Sequence, residues 1–471
     1  MNTNQKFYQE RLALLFNFRF SLMLIPLLLS LITVPCMALA EDSPATKRLK
    51  ARNSEFKKDV IKITEGVYTA VGYTVSSNSM IIGDDGIIII DPGQTVAGAK
   101  EVRAEFEKIT DKPVKAIIYT HSHGDHTGGT SVFWDEGVDI PIWARSNYGS
   151  ETLKASLAGT QGIMRPAGTA GFDLPPEKQI SVGVAIPPYH MPRSEVRAGI
   201  MSAPKPTHKF SEERKKLEIS GVRLELVAAP GETEDQLYVW LPDHKVLMAG
   251  DNIYKSWPNV YPLRGAQRSI SDWIDSVDKM IQEKPTFLVP GHTRPIFSNV
   301  EEFLSNYRDA MQFVYDKTIE GARKQMTLDE LVEYVKLPDH LADLDYLADY
   351  YGTVESTVRH IYTQTLGWFD GDVMNLHRES PLKQSERIAG LVGGTDKLME
   401  KARDALKQDD PLGAAQLAQH ATRLLPDQAE PMQLMSDALD IIGERTFNAN
   451  VRNYTFSYAE MLRKKIRELK K

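Results

Sequence analysis

Residues 120–129 read Thr120-His121-Ser122-His123-Gly124-Asp125-His126-Thr127-Gly128-Gly129. They follow Val114-Lys115-Ala116-Ile117-Ile118-Tyr119, an apolar run with the composition of a strand. The His-rich run therefore sits on the loop at the carboxyl end of a strand, where an α/β sheet presents its chemistry. A metal site needs lone-pair donors that converge on one point. His121 and His123 are two apart on a loop, so both rings can face one side. Asp125 and His126 follow at once and can turn toward a second ion. One short loop thus supplies two ions, and this ordered spacing argues against a surface loop that is merely rich in histidine.

Working outward, residues 67–71 and 79–82 read as strands, and Ile87-Ile88-Ile89-Ile90 as a buried strand ending at Asp91-Pro92-Gly93. Residues 96–109 read as a helix. A second set of strands is expected at 222–229, 236–241, 245–249 and 286–289. Three of these end on a turn and a metal-capable side chain: Pro230-Gly231-Glu232, Ala249-Gly250-Asp251 and Pro290-Gly291-His292. We assign His121, His123 and Glu232 to a first zinc, and Asp125, His126 and His292 to a second, with Asp251 bridging both. Glu234 and Asp235 compete with Glu232 for the role. Asp91 is expected to orient a ligand histidine. The set is all nitrogen and oxygen, which suits zinc and is tolerated by manganese or iron. Two ions close together lower the pKa of a shared water, and the generic outcome is hydrolysis of an ester-like or amide-like bond.

The length of 471 residues implies two or three domains at roughly 100–200 residues each. A composition of 42% apolar residues supports large buried cores, and the net charge of -7 argues against a nucleic-acid binder. Lys6, Arg11 and Arg19 precede a mostly apolar stretch that ends in Ala38-Leu39-Ala40, the pattern of a cleaved secretory signal over residues 1–40. An uncleaved anchor is the alternative, but Pro26 and Pro35 interrupt a run already short for a span. Export to the periplasm or medium follows, with no stable membrane insertion after cleavage. Cys36 is the single cysteine, so cleavage leaves no thiolate for zinc and no disulfide.

Residues 41–300 read as the catalytic α/β domain, opening on a polar leader at 41–60. Residues 150–220, rich in Gly, Pro and Ser, read as a substrate-side insertion. Residues 301–471 read as all-α, with helices at 300–324, 327–336 and 353–366 and about four more from 384 onward. The pairs 411–425 and 428–442 have the look of helical-repeat hairpins, without a clean period.

The His121–His126 run resembles the signature of the metallo-β-lactamase superfamily, which implies an αββα sandwich. Most members place a histidine where this chain has Glu232. A glutamate there is characteristic of one branch, the SDS-hydrolysing alkylsulfatases. Asn259-Val260-Tyr261-Pro262-Leu263-Arg264 resembles that branch's sulfate-binding segment, and Tyr351-Gly352-Thr353-Val354, Arg359 and Leu366-Gly367-Trp368-Phe369-Asp370-Gly371 resemble its helical dimerisation domain. The resemblance implies a homodimeric hydrolase of small sulfate esters holding two Zn2+ per chain. Asp125 and Asp251 would serve catalysis, and Asn259 and Arg264 would clamp the sulfate.

Three departures stand out. The family usually has Glu where this chain has Asp251. Its usual histidine after the Tyr-Gly turn is matched here by Ser356, and His360, one helical turn on, either takes over as catalytic acid or is an ordinary helix residue. The family's sterol-carrier-like C-terminal domain is not matched, which argues against long-chain detergents as preferred substrates. Two other readings stay open: a phosphoester, lactone or amide hydrolase of the same superfamily, and a catalytically degenerate helical interaction protein.

Overall fold

The computed structural model describes residues 41–134, 138–151, 167–186, 203–260, 263 and 268–471. The signal reading over 1–40 lies outside them.

Two sheets form the first half. The larger runs β1 (Asp59–Thr64), β2 (Val67–Val71), β3 (Asn78–Ile82), β4 (Ile87–Ile90), β5 (Val114–Ile118), β6 (Ile142–Arg145) and β7 (His208–Phe210), neighbours in that order. Its first four strands pair antiparallel, and β4 through β7 pair parallel. The smaller runs β12 (Phe287–Pro290), β11 (Val246–Gly250), β10 (Leu237–Leu241), β9 (Val222–Ala228) and β8 (Arg214–Ile219). The period of two along each strand sorts side chains between layers. Ile88 and Ile90 join Leu224, Leu226, Val239 and Met248 in the core between the sheets. Ile87 and Ile89 face the other way, onto Ala99, Val102 and Phe106 of helix α2 (Val96–Glu107). A continuous apolar run is what a strand covered on both faces requires. Beyond the smaller sheet, Trp273 and Val277 of α4 (Ile270–Gln282) and Leu304, Tyr307 and Met311 of α5 (Val300–Arg323) close the second outer layer. Helix α3 (Gly124–Thr127) is a single turn inside the His-rich loop. The αββα sandwich is thus complete.

The remainder is helical: α6 (Leu328–Tyr334), α7 (Val354–Leu366), α8 (Pro381–Val392), α9 (Thr395–Lys407), α10 (Pro411–Leu424), α11 (Ala429–Glu444) and α12 (Ala449–Leu469). From 381 onward there are five helices rather than four, because Gly393 takes a left-handed conformation (φ 95°) and ends α8. Small residues, Ala414, Ala415, Ala418, Ala421 and Ala438, let α10 and α11 approach closely. Among the described residues no helix is long and apolar enough to cross a membrane.

Two sequence expectations are corrected. Residues 41–60 are not a leader. Ser43 caps helix α1 (Pro44–Arg52), whose Thr46 hydroxyl donates to Glu444 at 2.7 Å and whose Arg48 lies 4.3 Å from the Phe447 ring centre. The 150–220 segment contains ordered structure in its described part: β7 and β8, the edge strands of the two sheets.

Candidate metal centre

The donors come from strand ends on one rim of the sandwich. β5 leads into His121, His123, Asp125 and His126; β9 leads to Glu232, β11 to Asp251, and β12 to His292. Asp91, at the end of β4, takes φ 51°, a left-handed conformation that turns its carboxylate back under the next loop. That carboxylate accepts from Thr120 N at 2.8 Å and Thr120 Oγ1 at 2.7 Å, and it bonds His126 Nδ1 at 2.8 Å. His121 Nδ1 meets Thr120 Oγ1 at 3.0 Å, and His292 Nδ1 meets the Val75 carbonyl at 2.8 Å. With Nδ1 occupied on each ring, Nε2 is left to face inward.

Two groups of donors result. His121, His123, Glu232 and Asp251 form one, and Asp125, His126, Asp251 and His292 the other, with the ligand atoms of each group within 4.8 Å of one another. Asp251 is common to both. Its Oδ1 stands 3.2 Å from His126 Nε2, and its Oδ2 stands 3.0 Å from His292 Nε2 and 3.7 Å from His121 Nε2. Close packing serves this placement: a Cβ on Gly291 would lie 2.0 Å from Asp251 Oδ1. The grouping is the one assigned from the sequence.

The donors fit a cation. His121 Nε2, His126 Nε2 and Asp251 Oδ1 are buried without a hydrogen-bond partner, an arrangement a folded protein leaves where an ion belongs. Burial holds His121 well below its ordinary pKa, helped by the neighbouring His126 and His123, so its ring is neutral and ready to ligate. Burial opposes charge on His126, but Asp251, Asp91 and Asp125 overcome it and hold that ring well above its ordinary pKa. Asp251, despite burial, is held well below the usual carboxylate range by His126 and His292. A metal ion would take the place of the proton on His126. Because Asp91 fixes the tautomer and angle of that ring, Asp91→Asn is expected to weaken metal binding about 10- to 100-fold. Competition with a chelating dye measures this; unchanged affinity would show that Thr120 alone holds the loop.

Two family models match the chain: the metallo-beta-lactamase superfamily over residues 72–292 and alkyl sulfatase dimerisation over residues 327–465. The chain is 34% identical over 397 residues to the linear primary-alkylsulfatase of Pseudomonas sp. (strain ATCC 19151), covering 82% of this chain and 74% of that one. The chain belongs to the alkylsulfatase family. It is also 28% identical over 423 residues to a second Pseudomonas sp. linear primary-alkylsulfatase, covering 87% of this chain and 62% of that relative. Among solved structures, the stereoselective inverting sec-alkylsulfatase of Pseudomonas sp. superposes with a TM-score of 0.80 at 25% identity, covering 90% of this chain and 69% of that one.

Within this alkylsulfatase frame the other expected residues divide. Asn259 is buried beside the centre's first group, and its carbonyl accepts from Arg268 Nη1 at 2.7 Å. Arg264 lies outside the described residues. Ser356 is a helix-cap residue: Thr353 Oγ1 accepts from its amide at 3.0 Å, and its own hydroxyl lies 2.8 Å from that oxygen. His360, read as either a catalytic acid or an ordinary helix residue, is not among the converging donors. Burial lowers its pKa, and its Nε2–H donates to the Arg268 carbonyl at 2.5 Å. It props a neighbour of the site instead.

Sequence reasoning missed that neighbour. Arg268 is 3% exposed and its Nη1 sits 2.6 Å from Glu232 Oε1. Burial disfavours its charge, yet Glu232 and Glu151 hold its pKa above the ordinary value. Glu151 also reaches His123 Nε2, at 3.4 Å. The Tyr254 hydroxyl donates to the other Glu232 oxygen. One signal was available: a carboxylate ligand in a buried site calls for a cation nearby.

Proposed function

We propose that this protein is a binuclear zinc hydrolase of alkyl sulfate esters, exported and homodimeric. The observation that carries the reading is the pair of donor groups sharing Asp251, in a chain of the alkylsulfatase family. His121, His123 and Glu232 would hold one ion, Asp125, His126 and His292 the other, and Asp251 both. Bound there, the ions supply Lewis acidity and a nucleophilic water at neutral pH. Asn259 and Arg264 would hold the sulfate, the arginine through its planar bidentate fork.

The reaction is a displacement at carbon. A water oxygen forms the new C–O bond, the old C–O bond breaks, and sulfate leaves with the electron pair while a proton is released. Sulfate is a weak base and departs without a strong acid. That is compatible with a Ser356 engaged in a helix cap and a His360 engaged on a carbonyl.

Sulfate release from a panel of alkyl sulfates by zinc-replete protein tests the reading, with phosphoesters and lactones alongside. No release at any chain length would sink it. In 18O-water the label is expected in the alcohol and not in the sulfate. Arg264→Ala is expected to raise KM for alkyl sulfates at least tenfold, about 1.4 kcal/mol of lost binding; an unchanged KM would remove Arg264 from the clamp.

The dimer reading draws on the exposed apolar stretch from the end of α7 onward: Leu366, Trp368, Val373, Met374 and Leu376 are each more than half exposed, within the segment that matches the dimerisation model. Such a patch calls for a partner surface. Met374→Glu is expected to shift the sedimenting species from dimer to monomer, and a dimer that survives would move the interface elsewhere. For export, the first residue of the mature protein is expected to be Glu41, read by N-terminal sequencing.

A further inference from the structure

The two donor groups differ in charge. The first has Glu232 and the second Asp125, with Asp251 shared. Behind the second stands another carboxylate, Asp91, bonded to His126. Among the described residues no lysine or arginine pairs with Asp125. Behind the first stands a cation, the buried Arg268 guanidinium, 2.6 Å from Glu232 Oε1; Glu151 lies there too, 4.0 Å from Arg268 Nη2 and 3.4 Å from His123 Nε2, so each side has one carboxylate behind its donors and only the first has a cation. Arg268 Nη1 also holds the Asn259 carbonyl at 2.7 Å, and the Arg268 carbonyl is held by His360 from α7. A guanidinium this close to a ligand carboxylate opposes part of its pull on a bound ion, the carboxylate being the nearer of the two charges.

We propose that Arg268 is a positioning and charge-compensating residue that makes the two halves of the centre inequivalent. By offsetting part of the charge of Glu232 it weakens the hold of the first subsite's donors on a cation. The second subsite keeps the uncompensated charge of Asp125 and retains its ion more tightly. Loading is therefore ordered, with the Asp125–His126–His292 side filling first. His360 contributes by holding the Arg268 main chain, which links the helical region to the first subsite. This inference rests on the two-metal reading above.

The test uses the whole protein and zinc alone, with equilibrium affinities measured by chelator competition. Wild type is expected to bind two zinc ions with affinities at least tenfold apart. Glu232→His leaves a buried guanidinium beside the ion without its nearest carboxylate, so it is expected to lose the weaker zinc by a further hundredfold or more. Adding Arg268→Gln to Glu232→His removes that charge and keeps a donor of similar shape; the weaker zinc is expected to return to within about tenfold of wild type. Adding Arg268→Lys instead keeps the cation and is expected to leave the site empty. A merely structural arginine predicts the opposite, with glutamine making the first defect worse and lysine repairing it. That result, or equal recovery by both, overturns the proposal. Wild type binding fewer than two zinc ions would overturn the two-metal reading itself, a distinguishable failure.

Discussion

Replacing Asp251 with asparagine is expected to lower sulfate-ester turnover by more than about 1000-fold and to reduce bound metal from two ions to one or none. The reasoning starts from the side chain's reach. The two Asp251 oxygens face both donor groups, Oδ1 toward His126 and Oδ2 toward His292 and His121, and among the described residues no other belongs to both groups. An asparagine keeps the volume and one acceptor but turns an NH2 toward one of the two donor groups. It also removes the negative charge common to both groups. Loss of a partner behind a ligand costs about 10- to 100-fold; loss of the one residue common to both donor groups is expected to cost more. Metal analysis beside kinetics decides the matter. Two tightly held ions with activity within tenfold of wild type would show that Asp251 is not the bridge. Nor does the fold tolerate easy compensation, since Gly291 packs against Asp251 with no room for even a Cβ between them.

How much of this was legible in the sequence depends on what stabilises each part. The strand ends were legible because short β-branched runs stop at Gly- or Pro-containing turns, a local signal. Ile87–Ile90, Leu237–Leu241 and Val246–Gly250 are buried along their whole length, so their composition announces them. The metal donors follow the strands β5, β9, β11 and β12 in the same way. Helix α1 was not legible, although Ser43-Pro44 is a proper start signal. Its sequence is strongly polar, and its contacts are with Asp345, Tyr350, Glu444 and Phe447, some 300–400 residues away. β8 was hidden for another reason. Arg214-Lys215-Lys216-Leu217-Glu218-Ile219 forms the edge of the smaller sheet, and edges are kept charged to discourage further pairing. Arg268 left no pattern at all. Its importance lies in which carboxylate it meets, and only the folded chain brings Glu232, Glu151 and Asn259 around one guanidinium.

Gly352→Ala is expected to destabilise the protein by about 3 kcal/mol, the upper end of what overpacking a close contact costs, and to impair substrate binding in whatever folds. Gly352 lies in the turn before α7, where the helical region docks onto the segment leading to Asn259. An added Cβ would stand 2.0 Å from the Pro258 carbonyl oxygen and 2.8 Å from the Asn259 Cα. Relief by movement is blocked on both sides. The Gly352 amide donates to the Trp257 carbonyl at 3.1 Å, the Trp257 amide donates to Ala348 at 2.9 Å, and Asn448 of the α12 cap holds the Tyr351 and Gly352 carbonyls at 3.0 and 3.1 Å. The methyl group must therefore push the Pro258–Asn259 backbone, which Arg268 grips from the other side. Gly390→Ala is the matched control. It lies inside α8 with nothing within 4 Å of an added Cβ, so it is expected to stabilise by up to about 1 kcal/mol. Denaturant unfolding separates the two, and KM for an alkyl sulfate reports the second effect. Equal stabilities for Gly352→Ala and wild type would mean that the helical region is not rigidly seated on the site. A loss of stability with unchanged KM would mean that Asn259 is positioned by Arg268 alone.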